Sequence, residues 1–237
     1  SGPSSGSSSY GDDLPGIESD HLVVLELSSF QLERLPEVAV SPHVAVVTNL
    51  SENHLDRHGS VDAYAAAKKN IFRFQGPDDV LVLPAGGGPT RSWADEAPGK
   101  VEWFDAAGEP FELSVPGAHN QANAQAAWTA ARALGADRAT AADALKGFAG
   151  LDHRLQLVAE RDGVRYINDS KCTTPAGAIV ALEAFEPRRA VVLCGGYDKG
   201  AGFDELGAAL AEQAKAVVAF GATREKILAA LERHRRR

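Results

Sequence analysis

Residues 48–58 read Thr48-Asn-Leu-Ser-Glu-Asn-His-Leu-Asp-Arg-His58, directly behind the apolar run Val44-Ala-Val-Val47 and ahead of Tyr64-Ala-Ala-Ala-Lys68. A strand-like run that passes into a polar turn and then a helix predicts an α/β layout, and in open α/β sheets ligands gather at strand ends. The turn crowds side-chain amides, two carboxylates, two imidazoles and a guanidinium into about ten positions with almost nothing apolar between them. Burying such a stretch as core would cost several kcal/mol for each unpaired group, so it is either a surface loop or a site. For His54 alone, a solvated loop histidine and a site residue remain equally open readings.

Working outward, Ser60 is placed to cap a helix over 61–74, with Asp62 in its first turn. Upstream, His21–Leu27 is an apolar run of buried-strand type, interrupted by Glu26, and Val38–Val40 continues the sheet with Val44–Val47. Downstream, Val80–Leu83 reads as a strand, Gly86–Pro89 as a turn, and Val101–Phe104 and Phe111–Val115 as strands of an antiparallel region. The alanine-rich run Asn120–Leu134 predicts a helix closed by Gly135, and Thr140–Phe148 a second one. The pattern then restarts with strands at 155–160 and 164–168 around the turn Asp162-Gly163. A helix over 175–185, a strand at 190–194, a helix over 203–213, a strand at 216–220 and a helix over 223–233 follow. Strands alternating with helices imply parallel sheets. The chain is therefore expected to divide into a tail over 1–20, rich in Ser and Gly and without apolar periodicity, a unit over 21–150 and a second over 151–237.

Composition narrows the function classes. The 237 residues are 44% hydrophobic, enough for a substantial core, and the formal net charge of −8 argues against a nucleic-acid-binding surface. No apolar run is long enough to span a bilayer and the N-terminal residues lack a signal-peptide pattern, so a cytoplasmic protein with no membrane or nucleic-acid partner is expected. Cys172 and Cys194 show no metal-type spacing and no disulfide framework.

The strand ends share one chemistry. Glu26 is followed by Ser28, Ser29 and Gln31; His54 follows another strand end, with Lys68 on the helix behind it. Carboxylate and imidazole without sulfur suit a hard divalent ion, whereas a buried ion pair of Glu26 with Lys68 or Arg57 would account for the same residues structurally. Asn168-Asp-Ser-Lys171 and Gly195-Gly-Tyr-Asp-Lys199 each end a strand with a carboxylate and an ammonium, although each alone reads equally as a helix cap with a solvated lysine.

Taken in order, seven segments resemble the Mur ligase family: Glu26-Leu-Ser-Ser-Phe-Gln-Leu-Glu33, Asn49 to His58, Tyr64 to Lys68, Gly117-Ala-His-Asn-Gln-Ala-Asn123, Leu151-Asp-His-Arg154, Asn168-Asp-Ser-Lys-Cys-Thr173 and Gly195 to Lys199. The first of them is most similar to the member that adds D-glutamate, rather than to relatives such as folylpolyglutamate synthase. The resemblance implies a parallel-sheet central domain followed by a Rossmann-like C-terminal domain, both incomplete. It also implies an ATP-dependent amide ligase, a monomer, that joins D-glutamate to UDP-N-acetylmuramoyl-L-alanine through an acyl-phosphate in peptidoglycan precursor synthesis.

By the same resemblance Glu26, His54 and a carbamylated Lys68 would hold Mg2+, Ser28 and Gln31 would contact the nucleotide-sugar acceptor, and Thr173 and Lys199 would face D-glutamate. Asn123, Arg154, Asp169 and Lys171 would meet ATP, with His54, Lys68 and Lys171 in the catalytic group. The family's phosphate loop, a glycine-rich turn ending Gly-Lys-Thr, would lie upstream of Glu26, and the 237 residues contain no such loop; Gly99-Lys100 is followed by Val101. That departure leaves a second reading, a nucleotide- or metabolite-binding remnant without catalysis.

Overall fold

A computed structural model describes residues 16–18, 20–50 and 58–235. The tail expected over 1–20 falls almost entirely outside them. Three parallel strands, β1 (Val44–Val46), β2 (Val80–Pro84) and β3 (Lys100–Phe104), form the first sheet in the order β1-β2-β3. In β2 every residue from Val80 to Leu83 is buried, because alternate side chains feed two separate cores. Leu81 and Leu83 pack with Ala45, Val47, Phe72 and Trp93 on one face, while Val80 and Val82 pack with Phe104 and Ala126 on the other. Two short helices, α1 (Ser29–Leu32) and α2 (Leu35–Val38), precede β1, and α3 (Val61–Lys69) follows the residues after it. The second core is closed by α4 (Ala118–Ala133), which lies across all three strands and continues through Gly135 (φ +89) toward α5 (Arg138–Gly147).

Four expectations change here. The apolar run at 21–27 is not a strand: among the described residues no ladder reaches it and β1 pairs only with β2, and Val24 is 94% exposed. An apolar run becomes a strand only where a neighbour takes up its backbone groups, and none of the described residues does. Residues 38–40 likewise end a helical turn, with Ala39 in the left-handed region (φ 51). The strand at 101–104 is parallel to β2, and Phe111–Val115 forms no strand. There the side chain of Gln121 takes the place of a ladder partner, accepting from the Phe111 N–H at 3.0 Å and donating to its carbonyl at 2.6 Å. Finally, α3 stops at Lys69 rather than at Phe74, because Asn70 turns its side-chain amide onto the Leu32 carbonyl and the backbone tightens into turns.

The second unit opens on the antiparallel hairpin β4 (Gln156–Arg161) and β5 (Val164–Asn168), joined by Asp162 and Gly163 at φ 52 and 74, the paired positive φ of a tight hairpin turn. Then α6 (Pro175–Glu183), β6 (Val191–Gly196), α7 (Asp204–Gln213), β7 (Ala216–Gly221) and α8 (Arg224–Arg235) alternate, with β6 and β7 parallel. Leu182, Leu206, Leu210, Ile227 and Leu231 pack with the inward residues Val192, Cys194, Val217 and Ala219. Because β5 and β6 lie in different sheets, their ends are not neighbouring strand ends of one sheet. Gly195 (φ +141) is demanded by packing: a Cβ there would stand 2.0 Å from the Phe220 carbonyl oxygen. No described helix is long and apolar enough to cross a membrane.

Candidate active site

The first group of predicted residues gathers around α1 and α3. Ser28 and Gln31 form a reciprocal capping box: the Ser28 N–H and hydroxyl each donate to Gln31 Oε1 at 2.8 Å, and the Gln31 N–H donates back to Ser28 Oγ. Both side chains are exposed. Glu26 is also exposed and makes no ion pair among the described residues, so the buried bridge to Lys68 is not formed. His54 and Arg57 lie outside the described residues. Lys68 and Lys69 part company on α3. The Lys69 ammonium meets Glu96 and lies over Trp93, whereas that of Lys68 sits 5.3 Å from the centroid of the Tyr64 ring with no carboxylate partner among the described residues.

Sequence reasoning passes over His58, and the structure makes it the hub of this group. Its side chain is only 2% exposed, Nδ1 lies 3.0 Å from Glu33 Oε1, and Nε2 lies 3.0 Å from Ser29 Oγ. The signal available in sequence was its place beside an aromatic-bearing helix, since Phe30 stacks on it and Tyr64 tilts against it.

A second group converges on the first turn of α4. Gly117 begins this helix at φ 102 with no side chain capping its N–H groups, and orphan donors of this kind favour anions. The loop at 151–155 and the β5–α6 connection meet there. Asp169 accepts from the Leu155 N–H at 3.0 Å, the Lys171 N–H donates to the His153 carbonyl at 3.0 Å, and Asn168 bonds His153 Nδ1 at 2.9 Å. Asp169, Arg154 and Glu183 all lie within electrostatic reach of His119, and Asp169 and Arg154 also of Cys172. Asn123 occupies the same face of α4, one turn beyond His119. The side chains of Arg154 and Lys171 are exposed, and Asp169 is half-buried. Arg154 and Asp169 are therefore brought together, whereas among the described residues no hydrogen bond or ion pair joins them to Thr173 or Lys199.

Thr173 and Lys199 are exposed at the ends of β5 and β6. Their neighbours carry the structural duties: Thr174 caps α6, and Asp198 pairs with Lys226. Gly99-Lys100 is likewise structural, since a Cβ on Gly99 would stand 2.4 Å from the Asp79 carbonyl oxygen.

Burial pushes His119 below its ordinary pKa of 6.5, helped by Arg154 and opposed by Asp169 and Glu183. As pH falls through about 6.5 the unfolded chain gains a proton here that the folded chain resists, so stability falls toward acid and is constant above that range. His119→Gln should flatten the loss between about pH 7.5 and about pH 5.5, a window above the carboxylate range. Urea midpoints at the two values check it; an unchanged slope in the variant contradicts it.

Two domain families match the chain: the Mur ligase middle domain over residues 17–104, and the Mur ligase glutamate ligase domain over residues 153–237. The α/β units with parallel sheets are thus those of ligases, and the chain belongs to the Mur ligase family. Within it, the chain is 38% identical, over 94% of its length, to the UDP-N-acetylmuramoylalanine–D-glutamate ligase of Symbiobacterium thermophilum, covering 54% of that relative. It is 43% identical, over 92% of its length, to the ligase of the same name from Nitratidesulfovibrio vulgaris, covering 49% of it. The chain thus spans about half the length of these relatives. Among solved structures, MurF of Acinetobacter baumannii superposes with a TM-score of 0.68 at 22% identity, over 85% of this chain and 51% of that one. MurF of Thermotoga maritima in complex with ADP gives 0.59 at 17% identity, over 85% and 64%.

Proposed function

We propose that this chain carries central and C-terminal machinery of an ATP-dependent ligase that joins D-glutamate to UDP-N-acetylmuramoyl-L-alanine. The observation that carries the reading is the meeting of Arg154, Asp169 and Lys171 with the uncapped start of α4, a cationic and hydrogen-bonding setting that suits a nucleotide's phosphates and ribose. The names of the relatives support the choice of acceptor and amino acid.

In this reading the acceptor carboxylate takes the γ-phosphoryl group of ATP, releasing ADP, and the amine of D-glutamate then displaces phosphate from the acyl-phosphate. Arg154, Lys171 and Asn123 hold ATP, Asp169 orients it, and Ser28 and Gln31 meet the nucleotide-sugar. Thr173 and Lys199 receive D-glutamate. The oxygen and imidazole donors of Glu26, His54 and a carbamylated Lys68 suit a hard cation, and among the described residues Lys68 is not tied to a carboxylate that would compete for its amine. Bound Mg2+ would neutralise phosphate charge where two anions approach. The protein is proposed to act as a cytoplasmic monomer, without a membrane or nucleic-acid partner, and its two ligase units to divide near Leu151.

The acceptor end is testable in a chimera in which residues 17–237 replace the matching part of the Symbiobacterium thermophilum relative. A charge-assisted contact of the Lys199 ammonium to a D-glutamate carboxylate is worth about 1.5 to 3 kcal/mol, or about tenfold to a hundredfold in binding. Lys199→Ala should therefore raise the KM for D-glutamate by that factor and leave that for ATP nearly unchanged. Equal rises in both would assign Lys199 to phosphate instead.

A further inference from the structure

The helix α1 is a single turn, and one turn has no stability of its own, because nucleation fixes several residues for very few hydrogen bonds. Its capping box satisfies its first N–H groups but does not determine where the turn sits. Its placement comes from tertiary contacts. Leu32 is buried, and its carbonyl accepts from the Asn70 side chain at 3.0 Å. The turn also meets His58, which bonds Ser29 and Glu33 and stacks on Phe30 with the rings 5.7 Å apart and within 6° of parallel. His58 also meets Tyr64 of α3, at 5.2 Å between ring centroids, and the Tyr64 ring lies beneath the Lys68 ammonium.

We propose that His58 is a positioning residue: it locks the turn bearing Ser28 and Gln31 to the helix bearing Lys68, and so holds the acceptor-binding pair and the lysine in one geometry. The functional half of this statement rests on the ligase reading given above. The chemistry of the lock is specific to an imidazole. The Glu33 carboxylate can only accept, so Nδ1 carries a proton, while the Ser29 hydroxyl can serve Nε2 as donor or acceptor. A ring with polar atoms at two edges and flat faces can bond Ser29 of α1 and Glu33 at its C-terminal cap and still fill the gap between Phe30 and Tyr64. Phenylalanine keeps the faces and loses the bonds; asparagine keeps a donor in the place of Nδ1 and loses the ring.

The physical half is tested on the 237-residue chain by amide hydrogen exchange. His58→Phe should speed exchange at Gln31, Leu32 and Glu33 by about tenfold or more, the equivalent of one hydrogen bond to a charged acceptor, and leave Val82 and Leu83 in β2 unchanged. His58→Asn should recover part of the protection at Glu33. Should the Phe variant not fold, Glu33→Ala breaks the same link from its more exposed end and should loosen the same three amides. Unchanged exchange in α1, or an equal rise in α1 and β2, overturns the proposal.

The functional half is tested in the chimera. His58→Asn should raise the KM for UDP-N-acetylmuramoyl-L-alanine by about tenfold while the KM for ATP holds. A fall in active enzyme with both KM values unchanged, or an equal rise in both, overturns the positioning role. A parent chimera that shows no ligation removes the ligase reading instead, and the exchange experiment still decides whether His58 is the lock.

Discussion

Lys68→Ala in the chimera lowers ligation by about 10²- to 10³-fold or more, and short carboxylates such as formate or acetate restore part of it. The expectation follows from the contrast between two adjacent lysines. Lys69 is committed to Glu96 and Trp93, so its removal should cost stability within the range of an exposed ion pair, about 1 kcal/mol or less, and leave turnover intact. Among the described residues Lys68 meets the face of Tyr64 and no carboxylate, which leaves its amine for carbamylation, the conversion of an ammonium into an anionic oxygen donor. A small carboxylate can stand in for the carbamate, hence the rescue. Full activity of Lys68→Ala without additive would remove this role, and a Lys69→Ala variant losing as much would show that the helix surface, not the carbamate, matters.

The 237-residue chain by itself should show no ATP turnover above the uncatalysed rate. Phosphoryl transfer depends on positioning and charge stabilisation, and the sequence contains no glycine-rich loop ending Gly-Lys-Thr to cradle the phosphates. Even one preorganised donor is typically worth about 10²- to 10³-fold, and a cradle supplies several together. What these residues offer unaided is the junction at the start of α4, where Arg154 and Lys171 should support weak ATP binding. Phosphate release with ATP, Mg2+, UDP-N-acetylmuramoyl-L-alanine and D-glutamate is the assay. Turnover that disappears in Lys171→Ala would falsify the expectation and place a phosphate site elsewhere in the chain.

The legibility of this fold in its sequence varies with how local the determining physics is. Val80–Leu83 is recognisable because a strand covered on both faces must be apolar at every position, and the hairpin at 156–168 because Asp162-Gly163 meets a local backbone need. The helix caps Ser60 and Thr174 are equally local. Residues 22–25 carry the same apolar signal without the strand, since pairing depends on a neighbour that periodicity does not reveal. The direction of β3 relative to β2 is hidden for the same reason, and Phe111–Val115 satisfies its backbone through Gln121, a partner that no local pattern announces.

The candidate site divides similarly. The motif residues Arg154 and Asp169 are separated in sequence and joined in space, as their order in the family implies. His58 and His119 lie within the motifs, yet each owes its burial or electrostatic setting to segments distant in the chain, which no local pattern announces. Asp198 stands beside Lys199 at a strand end, as a ligand-facing pair would, yet its carboxylate is committed to Lys226.

The central claim is that these residues complete a D-glutamate ligase, and amino-acid selectivity of the chimera tests it most directly. Purified chimera is supplied with ATP, Mg2+ and UDP-N-acetylmuramoyl-L-alanine, and phosphate release is measured with D-glutamate, L-glutamate, L-alanine or a D-alanyl-D-alanine dipeptide as the amine. Release that requires D-glutamate, with a product heavier by one glutamyl residue, is the predicted result. Release driven by another of these amines in preference to D-glutamate would contradict the account.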